Sequence, residues 1–157
     1  MMGTGKSTVG KSLSQQLNKT FIDIDQKIEK NEQISINKIF NKNGEKYFRK
    51  IESKTLLEST AEIVSCGGGI ILNKENRDFL KKNGFNIHLK CSIDNIIKRV
   101  GNTSSRPLLK NKTLKNVLHE IKKKRMEYYK NLANITVLTD NIKPDEVCNQ
   151  IIQQIQK

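Results

Sequence analysis

The 157 residues hold few aromatics: phenylalanine, tyrosine and tryptophan together make 5%, and tryptophan is absent. Proteins that take up single-stranded nucleic acid stack bases on rings set in a basic groove, and no stretch here interleaves the two. The three cysteines, Cys66, Cys91 and Cys148, are odd in number, far apart and never in a C-x-x-C pair. That suggests neither a disulfide framework nor a zinc site, and points to small buried apolar residues of a reducing compartment. The two histidines, His88 and His119, stand alone and take no role. Apolar runs are too short to span a bilayer, and no signal-peptide pattern is read, so a cytoplasmic protein without a membrane partner is expected. Acidic residues are scarce as well, 16 against 29 lysines and arginines, for a formal charge of +13. The lysines are scattered among asparagine and isoleucine rather than gathered in a block. They read as a solvated surface that also draws small anions, not as a nucleic-acid footprint.

What the chain does have begins at its first residues. Met1-Met2-Gly3-Thr4-Gly5-Lys6-Ser7-Thr8 is most of the pattern G-x-x-x-x-G-K-[ST], in which a glycine-rich loop folds around phosphates at the start of a helix. Gly5 is the second glycine of that pattern, so the first falls one place ahead of Met1. Gly3 and Gly5 let the backbone turn its N–H groups inward, with Thr4 between them. Lys6 brings a positive charge to the β- and γ-phosphates, Ser7 offers a hydroxyl to Mg²⁺, and Thr8 follows in the helix whose N-terminal dipole favours anions. ATP and Mg²⁺ are the expected cofactors.

At this length a single domain over 1–157 is expected, burying roughly 68–70% of the unfolded surface. Helices are predicted at Lys6–Leu17, Asp25–Lys30, Ser35–Phe40, Glu45–Glu58, Lys74–Lys82, Ser92–Val100, Thr113–Leu132 and Pro144–Gln156. The third and fourth are parted at Asn43-Gly44, Ser92 is a good N-cap, and Pro144 suits a first turn. Strands are predicted at Thr20–Ile24, Glu62–Cys66, Phe85–Cys91 and Ile135–Thr139. Alternation of strand and helix means a parallel sheet covered on both faces. A phosphate loop joins a strand to a helix, and that strand belongs ahead of Met1. The expected fold is therefore a three-layer α/β domain with a five-stranded parallel sheet in the order 2-3-1-4-5, of which this chain supplies strands 2 to 5. The chain as given is read as N-terminally truncated, a marginal fold and a poor enzyme.

Further chemistry lies at strand ends. Phe21-Ile22-Asp23-Ile24-Asp25 places two carboxylates on one side of a strand, at the carboxyl end where parallel sheets bind ligands. One suits Mg²⁺, the other the proton of an attacking hydroxyl. Helix capping by Asp25 is the competing reading. Glu45, Arg49 and Glu52 share a helical stripe that reads equally as a surface ion pair. Gly67-Gly68-Gly69 after a strand calls for a close approach of a ligand or another chain. Arg106-Pro107-Leu108-Leu109 sits in the polar stretch 101–112, which reads as a lid. Arg99 precedes it, and Arg125 lies four residues before Tyr129.

In order, these pieces resemble the shikimate kinase family over nearly the whole chain. The set comprises the M-G-T-G-K-S-T loop, D-I-D, G-E-x-x-F-R-x-x-E, G-G-G, R-P-L-L and K-R-x-x-x-Y. The resemblance implies ATP-dependent phosphorylation of shikimate to shikimate 3-phosphate by a monomer. It implies phosphate and Mg²⁺ contacts at Lys6 and Ser7, with Asp23 reaching Mg²⁺ through water. Asp25 would hold the substrate hydroxyls, and Arg49 and Arg125 the carboxylate with backbone from Gly68. Phe40 and Phe48 would wall the ring, and Glu52 would orient the arginines. Arg106 would act from the lid on the transferring phosphate, and Arg99 would pack on adenine. Guanidinium forks suit a planar carboxylate better than lysine does, and in this lysine-rich chain Arg49, Arg106 and Arg125 all fall on motif positions. Where the family has an arginine after Thr139, this chain has Asn141-Ile142-Lys143, which puts adenine contacts there in doubt. A related small-molecule kinase, such as one for gluconate, and a non-catalytic nucleotide- or RNA-binding protein are the alternatives.

Overall fold

The computed structural model describes residues 1–100 and 114–156. Its elements run α1 (Lys6–Leu17), β1 (Phe21–Asp23), α2 (Ile24–Glu32), α3 (Ile36–Leu57), β2 (Ile63–Ser65), α4 (Lys74–Asn83), β3 (Ile87–Lys90), α5 (Ile93–Val100), α6 (Leu114–Leu132), β4 (Ile135–Leu138) and α7 (Pro144–Ile155), with a 3₁₀ turn at Ile70–Leu72. The predicted helices all form. The strands are shorter than predicted, losing a residue or two at one or both ends. The break at Asn43-Gly44 survives as a kink, with Gly44 at φ 80° and ψ 171° inside α3.

All strand pairing is parallel. β1 pairs with β2 in the register Phe21–Ile63 to Asp23–Ser65, and β3 pairs with β4 from Ile87–Ile135 to Lys90–Leu138. The two pairs form separate two-stranded sheets. They correspond to strands 2-3 and 4-5 of the expected order. Between them lies a cleft of about 650 Å³, lined by Val9, Leu13, Ile63, Val64, Leu89 and Ile151 among others. The fold is thus the expected three-layer α/β arrangement, and its sheet is made of two halves.

Three apolar clusters fill the layers. Val9 and Leu13 of α1 meet Leu89, Val137, Val147, Cys148 and Ile151. Ile24, Ile28, Ile39 and Phe48 knit α2 to α3. Ile96, Leu118 and Tyr129 centre the third, with Met1, Leu56, Ile70 and Ile71 around them. Cys91 and Cys148 are buried and all three cysteines are free thiols, in keeping with their reading as small apolar residues. Burial, with the Glu52 charge nearby, pushes the Cys66 thiol up to about 12, so it stays protonated and unreactive. Among the described residues no helix is long and apolar enough to cross a membrane.

Candidate active site

The phosphate loop is built by glycine conformation. Gly3 and Gly5 sit at φ 68° and 89°, in the left-handed region, where side chains are strained. A β-carbon on Gly3 would also fall 2.8 Å from Val100 Cγ2 of α5. Gly5 is the N-cap of α1 and gives no side-chain bond, so the first turn keeps its N–H groups for a ligand. Thr4 is buried and donates to the Met1 carbonyl at 3.2 Å. Lys6 folds back on the same carbonyl, Nζ to O 2.7 Å. Ser7 and Thr8 are exposed at the helix start. This donor set fits a polyphosphate: turned backbone, one lysine and a free hydroxyl.

The carboxylates after β1 are arranged differently from the sequence expectation. Extended backbone stops at Asp23, which is the N-cap of α2 and accepts from the Gln26 N–H at 3.2 Å. Asp23, not Asp25, is therefore the cap. Asp25 lies in the first helical turn, so strand alternation does not set where its side chain points. The signal was present in the sequence: an aspartate followed three places on by glutamine is a capping-box spacing. Asp23 is buried, and one of its carboxylate oxygens is engaged by the Gln26 N–H. No group of three or more potential ligand side chains is gathered among the described residues.

Arg49, on α3, is clamped between two carboxylates. Its Nη1 donates to Glu52 Oε2 at 2.7 Å and its Nη2 to Glu45 Oε1 at 3.0 Å. The surface-pair reading of this stripe fails at one end, because Glu52 is only 1% exposed. Burial raises the Glu52 pKa, the Arg49 charge opposes that rise, and Asp25 adds to it; the net shift is upward. The Arg49 guanidinium carbon stands 5.2 Å from the Phe48 ring centroid, and Phe48 packs on Phe40 at 4.8 Å. The two phenylalanines therefore form one apolar wall beside the arginine.

The three glycines after β2 face three different partners. A β-carbon on Gly67 would fall 2.6 Å from Glu52 Oε1 and 2.8 Å from Asp25 Oδ1. One on Gly68 would fall 3.1 Å from Met1 Cα, and one on Gly69 2.5 Å from Arg49 Cζ. None of the three has positive φ, so it is close approach that demands glycine here. The Gly68 carbonyl accepts from Arg125 Nη1 at 3.0 Å and from the Tyr129 hydroxyl at 2.6 Å. Asp25, Arg49, Glu52 and Arg125, spread over a hundred residues of sequence, thus meet at one turn beside the phosphate loop.

On the other side, Arg99 donates to the hydroxyl and carbonyl of Thr139 at the end of β4. Asp140, to which the sequence drew no attention, gathers the start of α5. It accepts from the Ser92 N–H at 3.0 Å, the Ser92 hydroxyl at 2.8 Å and Asn95 Nδ2 at 2.6 Å. Burial works against its charged form, but these donors outweigh it and hold the carboxyl well below the usual range. Its partners lie 45–48 positions away, so no local pattern marks it. Arg106 and the expected lid over 101–112 lie outside the described residues.

The family profile described as shikimate kinase matches residues 2–156. The chain belongs to the shikimate kinase family. A shikimate kinase of a Sulfurihydrogenibium species is 38% identical over 159 residues, covering 99% of this chain and 94% of its own. That of Haemophilus influenzae is 39% identical, covering 98% and 88%. Among solved structures, the shikimate kinase of Acinetobacter baumannii in complex with shikimate superposes with a TM-score of 0.95 at 33% identity, over 99% of this chain and 88% of that one. The Aquifex aeolicus enzyme gives 0.84 at 34%, over 99% and 92%. The family's ATP and Mg²⁺ suit the loop, Ser7 and Asp23 described above.

Proposed function

We propose that this chain transfers the γ-phosphoryl group of ATP to a hydroxyl of shikimate, giving shikimate 3-phosphate and ADP. One observation carries the reading: two arginines from different helices, Arg49 and Arg125, converge with Asp25 on the Gly67–Gly69 turn next to a phosphate loop. Two guanidinium groups beside a phosphate cradle suit a substrate that carries a carboxylate and a reacting hydroxyl. Gluconate also carries both groups, and it is the comparison the assay must make.

The roles follow from the chemistry of each side chain. Arg49 and Arg125 grip the substrate carboxylate by paired N–H donors. Phe40 and Phe48 limit the ring's freedom on one side. Asp25 orients the hydroxyl and accepts its proton as the new O–P bond forms and the bond from the γ-phosphorus to ADP breaks. Lys6 leaves the Met1 carbonyl for phosphate oxygen. The loop N–H groups, with Thr4 and Thr8 shaping their turn, take the remaining oxygens. Ser7 and Asp23 would hold Mg²⁺, which when bound would neutralise charge that builds on the phosphates. Arg106, from a lid over 101–112, adds positive charge and helps exclude water, and Arg99 packs on adenine. The protein acts as a cytoplasmic monomer on a small molecule, without nucleic acid or membrane; scattered lysines and scarce aromatics support this.

A coupled assay for ADP release decides the substrate. Release should depend on shikimate and be negligible with gluconate at equal concentration. Equal turnover with the two, or turnover with gluconate alone, would overturn the assignment.

A further inference from the structure

The Gly67–Gly69 turn hangs from α6 by one acceptor. The Gly68 carbonyl has two lone pairs, and both are used, by Arg125 Nη1 and by the Tyr129 hydroxyl. Arg125 and Tyr129 are four residues apart, so they rise from one face of α6, and each is only 8% exposed. The hydroxyl bond, at 2.6 Å, is short for its kind. Opposite it, a side chain on Gly68 has no room, with Met1 Cα at 3.1 Å and the Tyr129 oxygen at 3.3 Å from a β-carbon there. The carbonyl thus cannot swing freely once the tyrosine holds it.

Tyr129 is itself fixed from behind. Its ring stacks on His88 of β3, with centroids 4.9 Å apart and planes 14° from parallel. Burial drives the His88 pKa down to about 4, so at neutral pH the stacked partner is an uncharged ring and sets no cation beside Arg125. Burial also pushes the Tyr129 phenol up, which keeps its proton available to donate. A chain of contacts therefore runs from β3 through His88, Tyr129 and the Gly68 carbonyl to the guanidinium of Arg125.

We infer that Tyr129 is a positioning residue for substrate recognition: its hydroxyl fixes the Gly68 carbonyl, which in turn fixes the direction of the Arg125 fork. This rests on the reading of Arg125 as a carboxylate-binding group. Tyr129 touches no substrate and takes no part in proton transfer. With the carbonyl held on one lone pair, Arg125 has one place to send Nη1, and its other donors face a defined direction. Without the hydroxyl, turn and arginine can shift together, and the fork no longer arrives preformed.

A double-mutant cycle read by calorimetry tests this. Tyr129→Phe removes one oxygen and keeps the stacked ring. It should raise the Kd for shikimate about five- to tenfold, the worth of one hydrogen bond, and leave the Kd for ATP within about twofold. Arg125→Lys should also weaken shikimate binding. Adding Tyr129→Phe to that variant should change little further, because there is no fork left to aim. The fitted stoichiometry reports how much of each variant is folded, and Kd is independent of that fraction. Three results would overturn the inference. In the first, shikimate affinity is unchanged in Tyr129→Phe. In the second, shikimate and ATP affinity fall together, the mark of a merely structural residue. In the third, the two substitutions add fully. If Arg125→Lys itself leaves shikimate affinity intact, the reading of Arg125 falls, and this inference with it.

Discussion

Arg49 and Arg125 are given the same task, yet their surroundings are opposite. Arg49 sits between Glu45 and Glu52, both within 3.0 Å, so its charge is answered before any substrate arrives. Arg125 is more deeply buried and, among the described residues, has no carboxylate within ion-pair distance; it leans on a backbone carbonyl. A carbonyl dipole fixes direction but answers the charge only in part, and Glu52 feels the Arg125 charge without pairing with it. Arg49 thus brings geometry to the site, and Arg125 brings charge. Paired arginines in a site need not share the work equally, and the difference lies in what holds each one.

The largest expected effect comes from stripping Arg49 of its buried partner. Glu52→Ala removes a carboxylate that is 1% exposed and leaves the guanidinium half of a buried pair unmatched. Such losses cost about 3–5 kcal/mol. Because Arg49 keeps Glu45 and some solvent, the low end is expected, a fall in Tm of about 6–12 °C. Thermal unfolding checks this, and a Tm within a degree or two of the parent would show that Glu52 is not the anchor. Next in size is the exchange of each arginine for lysine. Each should weaken shikimate binding by about 1–3 kcal/mol without changing ATP binding, since lysine keeps charge and loses the fork. Arg125→Lys should lose more, because a lysine at 49 still has two carboxylates to hold it in place. If the order is reversed, compensation by Glu45 and Glu52 is not what separates the two sites.

A subtler way to disturb only one side is Gly69→Ala. Its backbone is at φ −97°, so alanine causes no strain there, and the nearest obstacle is the Arg49 guanidinium, with Cζ 2.5 Å from the new carbon. The guanidinium must shift, and the cost to folding stays small only if the shift keeps its ion pair with Glu52. The expected outcome is a Tm change of no more than about 2–4 °C with shikimate binding weakened by about 1 kcal/mol. Calorimetry beside thermal melting separates the two, and unaltered shikimate affinity would mean that Arg49 is free to rotate without loss.

Much of this was legible in the chain, for reasons that differ by residue. The phosphate loop and the helices rest on local patterns of glycine, caps and apolar spacing, and the observed helices match those patterns to within a residue or two at most ends. The pairing of Arg49 with Glu52 is a helical spacing, so it too is written locally; that Glu52 is buried depends on α2 and the glycine turn, and is not. Asp23 as cap is hidden by the strand-like alternation of Phe21 to Asp25, while the Asp23–Gln26 spacing marks a helix start. Asp140 was invisible, since its meaning comes from Ser92 and Asn95 in another βα unit. The three glycines show the middle case. Sequence says that something comes close, and only the fold shows three different partners.

The smallest expected effect is one of sign. On the Arg49 side, Glu52 has its pKa raised by burial, so its contribution to stability is present at low pH and is lost as pH rises through its folded value. On the Arg125 side, His88 runs the other way. Its folded pKa is about 4, against about 6.5 when unfolded. Between these values the unfolded chain binds more protons, so His88 contributes stability above about pH 6.5 and loses it as pH falls toward 4. The ring is half exposed, and solvent screening reduces the effect to about 1 kcal/mol. Urea unfolding from pH 4 to 7.5 should show stability rising with pH in that window. His88→Phe keeps a ring on Tyr129 and removes the titration, so it should flatten the rise, while Glu52→Gln should leave it in place and steepen it. A slope unchanged in His88→Phe would place the titration elsewhere, and would remove the claim that the two sides of the site answer pH in opposite directions.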